Sequence, residues 1–198
     1  MKISKKEGPH MRVIAGTARG IPLKAVPGVQ TRPTADKVKE SIFNIIGPFF
    51  EGGTAIDLFA GSGGLAIEAL SRGFDRAIFT DKNQKAVEVI QFNLAKSRFS
   101  EQAEVYRADA GQAIRAMAKK GIIADLLFLD PPYKKSGAYR LMETAAAAGI
   151  LADGATVVCE HDSGSGLAAE TEHFSRYRLA EYGGTAVSFY RLRQRGEE

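Results

Sequence analysis

The chain has 198 residues, 44% of them hydrophobic and 25% charged, enough for one well-buried core and short for two independent domains. No apolar run approaches the roughly 18 to 20 residues of a membrane span, and MKISKKEGPH offers no apolar core for a signal peptide, so a cytoplasmic protein is expected. A single cysteine, Cys159, excludes an internal disulfide, and with His10, His161 and His173 it makes no recognisable zinc spacing, so no metal is expected. Residues 1–40 carry nine Lys or Arg against three acids, whereas the remainder carries 18 against 20. A basic front on a near-neutral body suits a polyanionic partner, or serves as a solubilising tail.

In chain order, residues 1–10 read as an extension or cloning remnant ahead of Met11. Arg12 to Ala15 and Ile21 to Val26 read as two short strands around GTARG, a small hairpin. VPGVQTRPT is a loop, and Thr34 or Asp36 could cap a helix from Ala35 to Phe49, with Val38, Ile42, Phe43, Ile45 and Ile46 at helical spacing. This 11–50 unit is accessory to a main domain at 51–198. There strands TAIDLFA, RAIFTD, EVYRAD, ADLLFLD and ATVVCEH alternate with helices at 65–72, 84–98, 111–120 and 138–148, which predicts a parallel sheet covered on both faces. FSRYRLAEYGGTAVSFYRLR closes the chain as an antiparallel edge hairpin turning at Gly183 and Gly184.

Three strand ends carry acids. In DLFAGSGGLAIEAL, Asp57 ends a strand and Gly61, Gly63 and Gly64 lead into a helix, where missing side chains and unpaired N–H groups suit a nucleotide-type cofactor. Gly61, Gly63 and Ala66 also satisfy G-x-G-x-x-A, and Asp81, twenty positions after Gly61, stands where a carboxylate accepts ribose hydroxyls. Asp109 closes the third strand, as a ligand group or as a cap of the helix that follows. Asp57 likewise either serves the ligand or supports its turn.

The segment LLFLDPPYKKSG ends a buried strand at Asp130 and runs into Pro131, Pro132 and Tyr133. Two prolines fix the backbone and lack N–H donors, leaving carbonyls free to accept, while Asp130 adds a carboxylate and Tyr133 a stacking face. Such a set suits an exocyclic amino group, whose nitrogen lone pair is exposed when both hydrogens are drawn toward acceptors.

The order DLFAGSGG, TD, AD, DPPY resembles class I S-adenosylmethionine-dependent methyltransferases that act on amino nitrogens of nucleobases. More narrowly, MRVIAGTARGIPLKAV, TRPTADKVKESIFNII, DLFAGSGGLAIEALSRG and FLDPPY resemble the RsmD family, which methylates N2 of a guanine in bacterial 16S ribosomal RNA. The likeness runs from Met11 through EYGGTAVSFYRL. It departs mildly: Asp81 stands where Glu is frequent, and Lys39 where Arg is common, which loses a planar two-pronged donor for phosphate or carboxylate.

The resemblance implies an α/β Rossmann-like fold, S-adenosyl-L-methionine as cofactor, and 16S rRNA as partner, within a small ribosomal subunit or an assembly intermediate; a monomer is favoured, although the sequence does not fix the oligomeric state. Gly61, Ser62 and Gly63 would cradle the methionine part and Asp81 would hold the ribose. Asp109 would face the adenine amino group, with Asp57, Phe59, Lys82, Ala110 and Thr34 completing the cofactor site. Asp130, Pro131, Pro132 and Tyr133 would hold the guanine, and Arg12, Arg19, Lys24 and Arg32 would meet RNA. Rival readings are an NAD-dependent oxidoreductase, which leaves DPPY unexplained, an adenine-N6 methyltransferase, and a catalytically idle RNA-binding assembly factor.

Overall fold

The computed structural model describes residues 11–27, 36–131, 137–164 and 166–193. A two-stranded antiparallel hairpin, β1 (Met11–Arg12) and β2 (Pro22–Leu23), precedes α1 (Asp36–Ile46). The main unit then alternates β3 (Thr54–Asp57), α2 (Gly64–Ser71), β4 (Arg76–Asp81), α3 (Gln84–Ser97), β5 (Ala103–Arg107), α4 (Ala110–Lys119), β6 (Ala124–Leu129), α5 (Gly137–Ala147) and β7 (Leu151–Asp162). It ends in β8 (Phe174–Tyr182) and β9 (Thr185–Leu192).

The seven strands from β3 onward lie in the order β5-β4-β3-β6-β7-β9-β8. From β5 through β7 the pairing is parallel, and β9 joins β7 and β8 antiparallel. The expected architecture, a mostly parallel sheet with a terminal antiparallel hairpin, is the one observed. The chain leaves β3 toward β4 and later returns to β3's other side as β6, so the order reverses between β3 and β6. Ligands of open α/β sheets bind at such a reversal, outside the carboxyl ends of the strands.

Side-chain alternation with period two splits the core into two layers. Ala55, Phe79, Leu126 and Phe128 face α1, α2 and α3, whereas Ile56, Ile78, Leu127 and Leu129 face α4 and α5. Both faces are covered, which is why AIDLF and LLFLD are continuously apolar. Met11, Val13, Leu23, Ile42 and Phe43 belong to the first of these layers, so the hairpin and α1 share the core of the main sheet. Cys159 is buried on β7, and burial pushes its thiol up to about 12.

The hairpin strands are shorter than the expected Arg12–Ala15 and Ile21–Val26. Val13 N still donates to the Ile21 carbonyl across the hairpin at 3.0 Å, but beyond it other groups take the backbone donors. Glu68 accepts from the amides of Ile14 (2.8 Å) and Ala15 (2.9 Å), and the Ser71 hydroxyl accepts from Ala18 (3.0 Å). Gly16 (φ +81°) is obligatory there, since a Cβ would lie 1.7 Å from the Ser71 carbonyl oxygen. Helix α1 stops at Ile46, short of the expected Phe49, because the chain turns at Gly47 (φ +135°).

Candidate active site

Asp57 ends β3 with its carboxyl buried, and Oδ1 accepts from the Phe59 amide at 3.2 Å. Burial pushes this carboxyl up to about 8; the Phe59 bond opposes the shift, and the charges of Asp130 and Asp81 reinforce it. Three acids from three strand ends therefore converge across the β3–β6 reversal.

Between Asp57 and α2 the glycine loop is held from beneath. Ala60 N donates to the Thr80 carbonyl at 2.9 Å and Gly63 N to the Ala60 carbonyl at 2.6 Å. Gly63 (φ +82°) stands at the left-handed start of α2, where a Cβ would meet Ile67 Cδ1 at 3.2 Å and Phe79 Cε1 at 3.3 Å. No side chain caps α2, which leaves its first amides without a side-chain partner. A helix start of this kind suits an anionic group such as the carboxylate of a methionine tail.

Asp81, at the end of β4, spends one lone pair of each oxygen on the loops: Oδ2 accepts from Gly61 N at 2.9 Å and Oδ1 from Asn83 N at 2.8 Å. Each oxygen keeps acceptor capacity for a hydroxyl, so the observed loop-fixing role leaves room for the ribose role expected of it. Lys82 is exposed directly after it, its carbonyl accepting from Arg107 Nε at 3.4 Å. Asp109 caps α4, its Oδ1 accepting from Gly111 N at 2.9 Å, and Ala110 is buried behind it. Asp109 thus performs the capping role weighed for it, with its side chain at an exposed position beside the β4 end. Phe59 is half-buried against the α4 and α5 layer.

Asp130 follows β6 directly, exposed at the strand end while protein on its inner side desolvates it and raises its pKa. Pro131 is half-buried next to it. Of the remaining expected residues, Pro132, Tyr133, Arg32 and Thr34 lie outside the described residues. The structure accordingly brings together Asp57, Gly61, Gly63, Asp81 and Asp130, and sets Asp109 one loop away.

Arg12, Arg19 and Lys24 are exposed on the N-terminal segment. Arg12 Nε meets Asp36 Oδ2 at 3.1 Å, and Lys24 Nζ lies 5.3 Å from the centre of the exposed Phe92 ring. Lys39, expected to grip anions less well than Arg, is buried and cannot reach phosphate, but it does grip a carboxylate. Its Nζ is 3.3 Å from Glu68 Oε2 and donates to the Arg12 carbonyl at 2.5 Å. Arg72 Nε donates to Glu68 Oε1 at 2.8 Å. Burial pushes the Lys39 ammonium down, against the pull of Glu68.

Residues missed from sequence include Glu68, which anchors the hairpin, and Asn93, which joins it to the glycine loop. Their signal was a polar residue inside an apolar helix face: Glu68 between Ile67 and Ala69, and Asn93 four positions after Val89. His173, whose linear spacing suggested nothing, pairs with Glu143 of α5 at 2.5 Å beside Glu172.

With this geometry in view, the family described as Conserved hypothetical protein 95 matches residues 11–191. The chain is 46% identical over 183 residues to "Putative rRNA methyltransferase YlbH" of Bacillus subtilis, covering 92% of this chain and all of that protein. It is 31% identical over 190 residues to "Ribosomal RNA small subunit methyltransferase D" of Escherichia coli K12, covering 95% and 93%. A solved structure titled "Putative methyltransferase yhhF from Escherichia coli" superposes with a TM-score of 0.82 at 30% identity, covering 94% of this chain and 99% of that one. The glycine loop, the acid-tipped strands and these relatives lead to one assignment: the chain belongs to the RsmD family of S-adenosylmethionine-dependent methyltransferases.

Proposed function

We propose that the protein transfers the methyl group of S-adenosylmethionine to the exocyclic N2 of a guanine in 16S ribosomal RNA. The observation that carries this reading is the placement of Asp130 and Pro131 at the end of β6, across the sheet reversal from the glycine loop and close enough to Asp57 to raise its pKa. The relatives named for small-subunit ribosomal RNA methylation support the choice of RNA.

The residues present fit the cofactor: α2 begins without a side-chain cap, Gly63 excludes a side chain, and Asp81 retains acceptor capacity. When bound, the cofactor supplies an electrophilic methyl on a sulfonium sulfur. Gly61 to Gly63 would hold its methionine part, Asp81 its ribose, and Asp109 would face the adenine amino group. Asp130 and the Pro131 carbonyl accept the two hydrogens of the guanine amino group and so aim its nitrogen lone pair, and Tyr133 would stack on the base. Rate enhancement then comes mainly from alignment. The raised pKa of Asp130 makes it a better proton acceptor than an ordinary carboxylate once the nitrogen has been alkylated. N2 is engaged by pairing in a duplex, so the guanine is taken unpaired or flipped out. Arg12, Arg19, Lys24 and Arg32 would meet RNA phosphates.

The test is methyl incorporation from labelled S-adenosylmethionine into unmodified small ribosomal subunits and, in parallel, into adenine-containing duplex DNA. Label in the RNA is expected. Label confined to DNA would favour the adenine-N6 reading, and label in neither, with cofactor bound, would favour the idle assembly factor.

A further inference from the structure

Asn93 has no exposed surface, and its amide ties together two segments far apart in sequence. Its Oδ1 accepts from Lys24 N at 2.8 Å, and its Nδ2 donates to the Lys24 carbonyl at 3.0 Å and to the Ser62 carbonyl at 2.8 Å. Lys24 is held through both backbone groups, as a strand neighbour would hold it, while the same nitrogen holds the glycine loop. A second contact reaches that loop from the hairpin's other strand: Ser62 Oγ donates to Met11 Sδ at 3.3 Å. A Cβ at Gly64 would stand 3.2 Å from that sulfur. Met11 of β1 and Lys24, just past β2, therefore both bear on Ser62, one directly and one through Asn93.

A buried amide with three satisfied bonds has one good arrangement, and moving any of its partners breaks a bond that water does not readily replace. The Lys24 side chain, over Phe92, is exposed on the outer side of the same junction. A phosphate that captures the Lys24 ammonium thus acts on backbone that Asn93 connects to the glycine loop. We propose that Asn93 is a positioning residue that couples the N-terminal hairpin to the cofactor loop, so that RNA seated on the hairpin tightens the loop on its cofactor. The proposal rests on reading the hairpin as an RNA-facing element. Linkage makes the effect reciprocal: cofactor must tighten RNA by the same factor.

An Asn93 that were only structural glue would change stability and leave the ratio of affinities untouched, so the coupling factor is the quantity to read. Equilibrium dialysis of tritiated S-adenosylhomocysteine against the full chain, with and without saturating unmodified small ribosomal subunits, gives it directly. Subunits are expected to tighten the wild-type protein by at least about fivefold, the lower range of ordinary coupling, and to leave Asn93→Ala within twofold of its subunit-free value. An equal ratio in both proteins overturns the coupling. So does subunit binding without tightening in the wild type, which leaves the RNA reading intact, whereas absence of subunit binding overturns both. Should Asn93→Ala fail to fold, hydrogen exchange on the wild-type protein decides. Subunits should protect Lys24 and residues 61–64 together, and protection at Lys24 alone overturns the proposal.

Discussion

Replacing Asp57 by Asn isolates the electrostatic character of the site. In the folded protein the Asp57 carboxyl titrates near 8, against 3.8 for an unperturbed aspartate. Between about pH 4 and pH 8 the folded state therefore keeps a proton that the unfolded chain has released. Stability must fall as pH rises through that window and level off above it. At about 1.4 kcal/mol per pH unit, a shift from 3.8 to about 8 amounts to on the order of 6 kcal/mol. Asn is uncharged in both states, fills nearly the same volume, and can keep the bond from the Phe59 amide. Asp57→Asn should match the wild type near pH 4 and exceed its stability increasingly toward pH 8. Urea unfolding of the cofactor-free proteins at each pH unit from 4 to 9 measures this directly. Parallel curves for the two proteins would refute the burial that holds the Asp57 carboxyl protonated, which the charges of Asp130 and Asp81 only reinforce.

Glu68→Ala leaves the buried Lys39 and Arg72 cations without their carboxylate. Denaturant unfolding should show a loss of about 3–5 kcal/mol, with exchange of the Ile14 and Ala15 amides accelerated. Gly63→Ala puts a Cβ at φ +82° against Ile67 and Phe79, a left-handed conformation that costs about 1–2 kcal/mol by itself; calorimetric titration should show weaker cofactor binding. Asp130→Ala should lower single-turnover methylation by at least about 100-fold while cofactor affinity changes little, and the reverse pattern would remove it from the guanine site. Changing Arg12, Arg19 and Lys24 together to Ala should flatten the salt dependence of RNA affinity, by a slope of about 2 if all three neutralise phosphates of a single strand.

What could be read from sequence was what depends on nearest neighbours. β3 and β6 are buried on both faces, so their apolar runs announced them, and the acids at 57, 81 and 130 announced where the strands end. The glycine turn was legible because positive φ and close packing at Gly63 leave little choice of residue. The length of the hairpin strands was not legible: beyond Val13, Glu68 and Ser71, more than fifty residues away, take the amides that a longer ladder would have used. Asn93 was hidden for the same reason, since its partners lie 69 and 31 positions away. Lys39 was taken as a weaker anion grip because its type was compared with arginine, whereas its burial decides which anion it can reach.

The most direct measurement is the identity of the methylated nucleoside. Unmodified small ribosomal subunits would be incubated with the protein and methyl-labelled S-adenosylmethionine, the RNA digested to nucleosides, and the label located by mass spectrometry. N2-methylguanosine is the expected product; N6-methyladenosine or any other methylated nucleoside in its place would contradict the assignment of the Asp130 site to guanine.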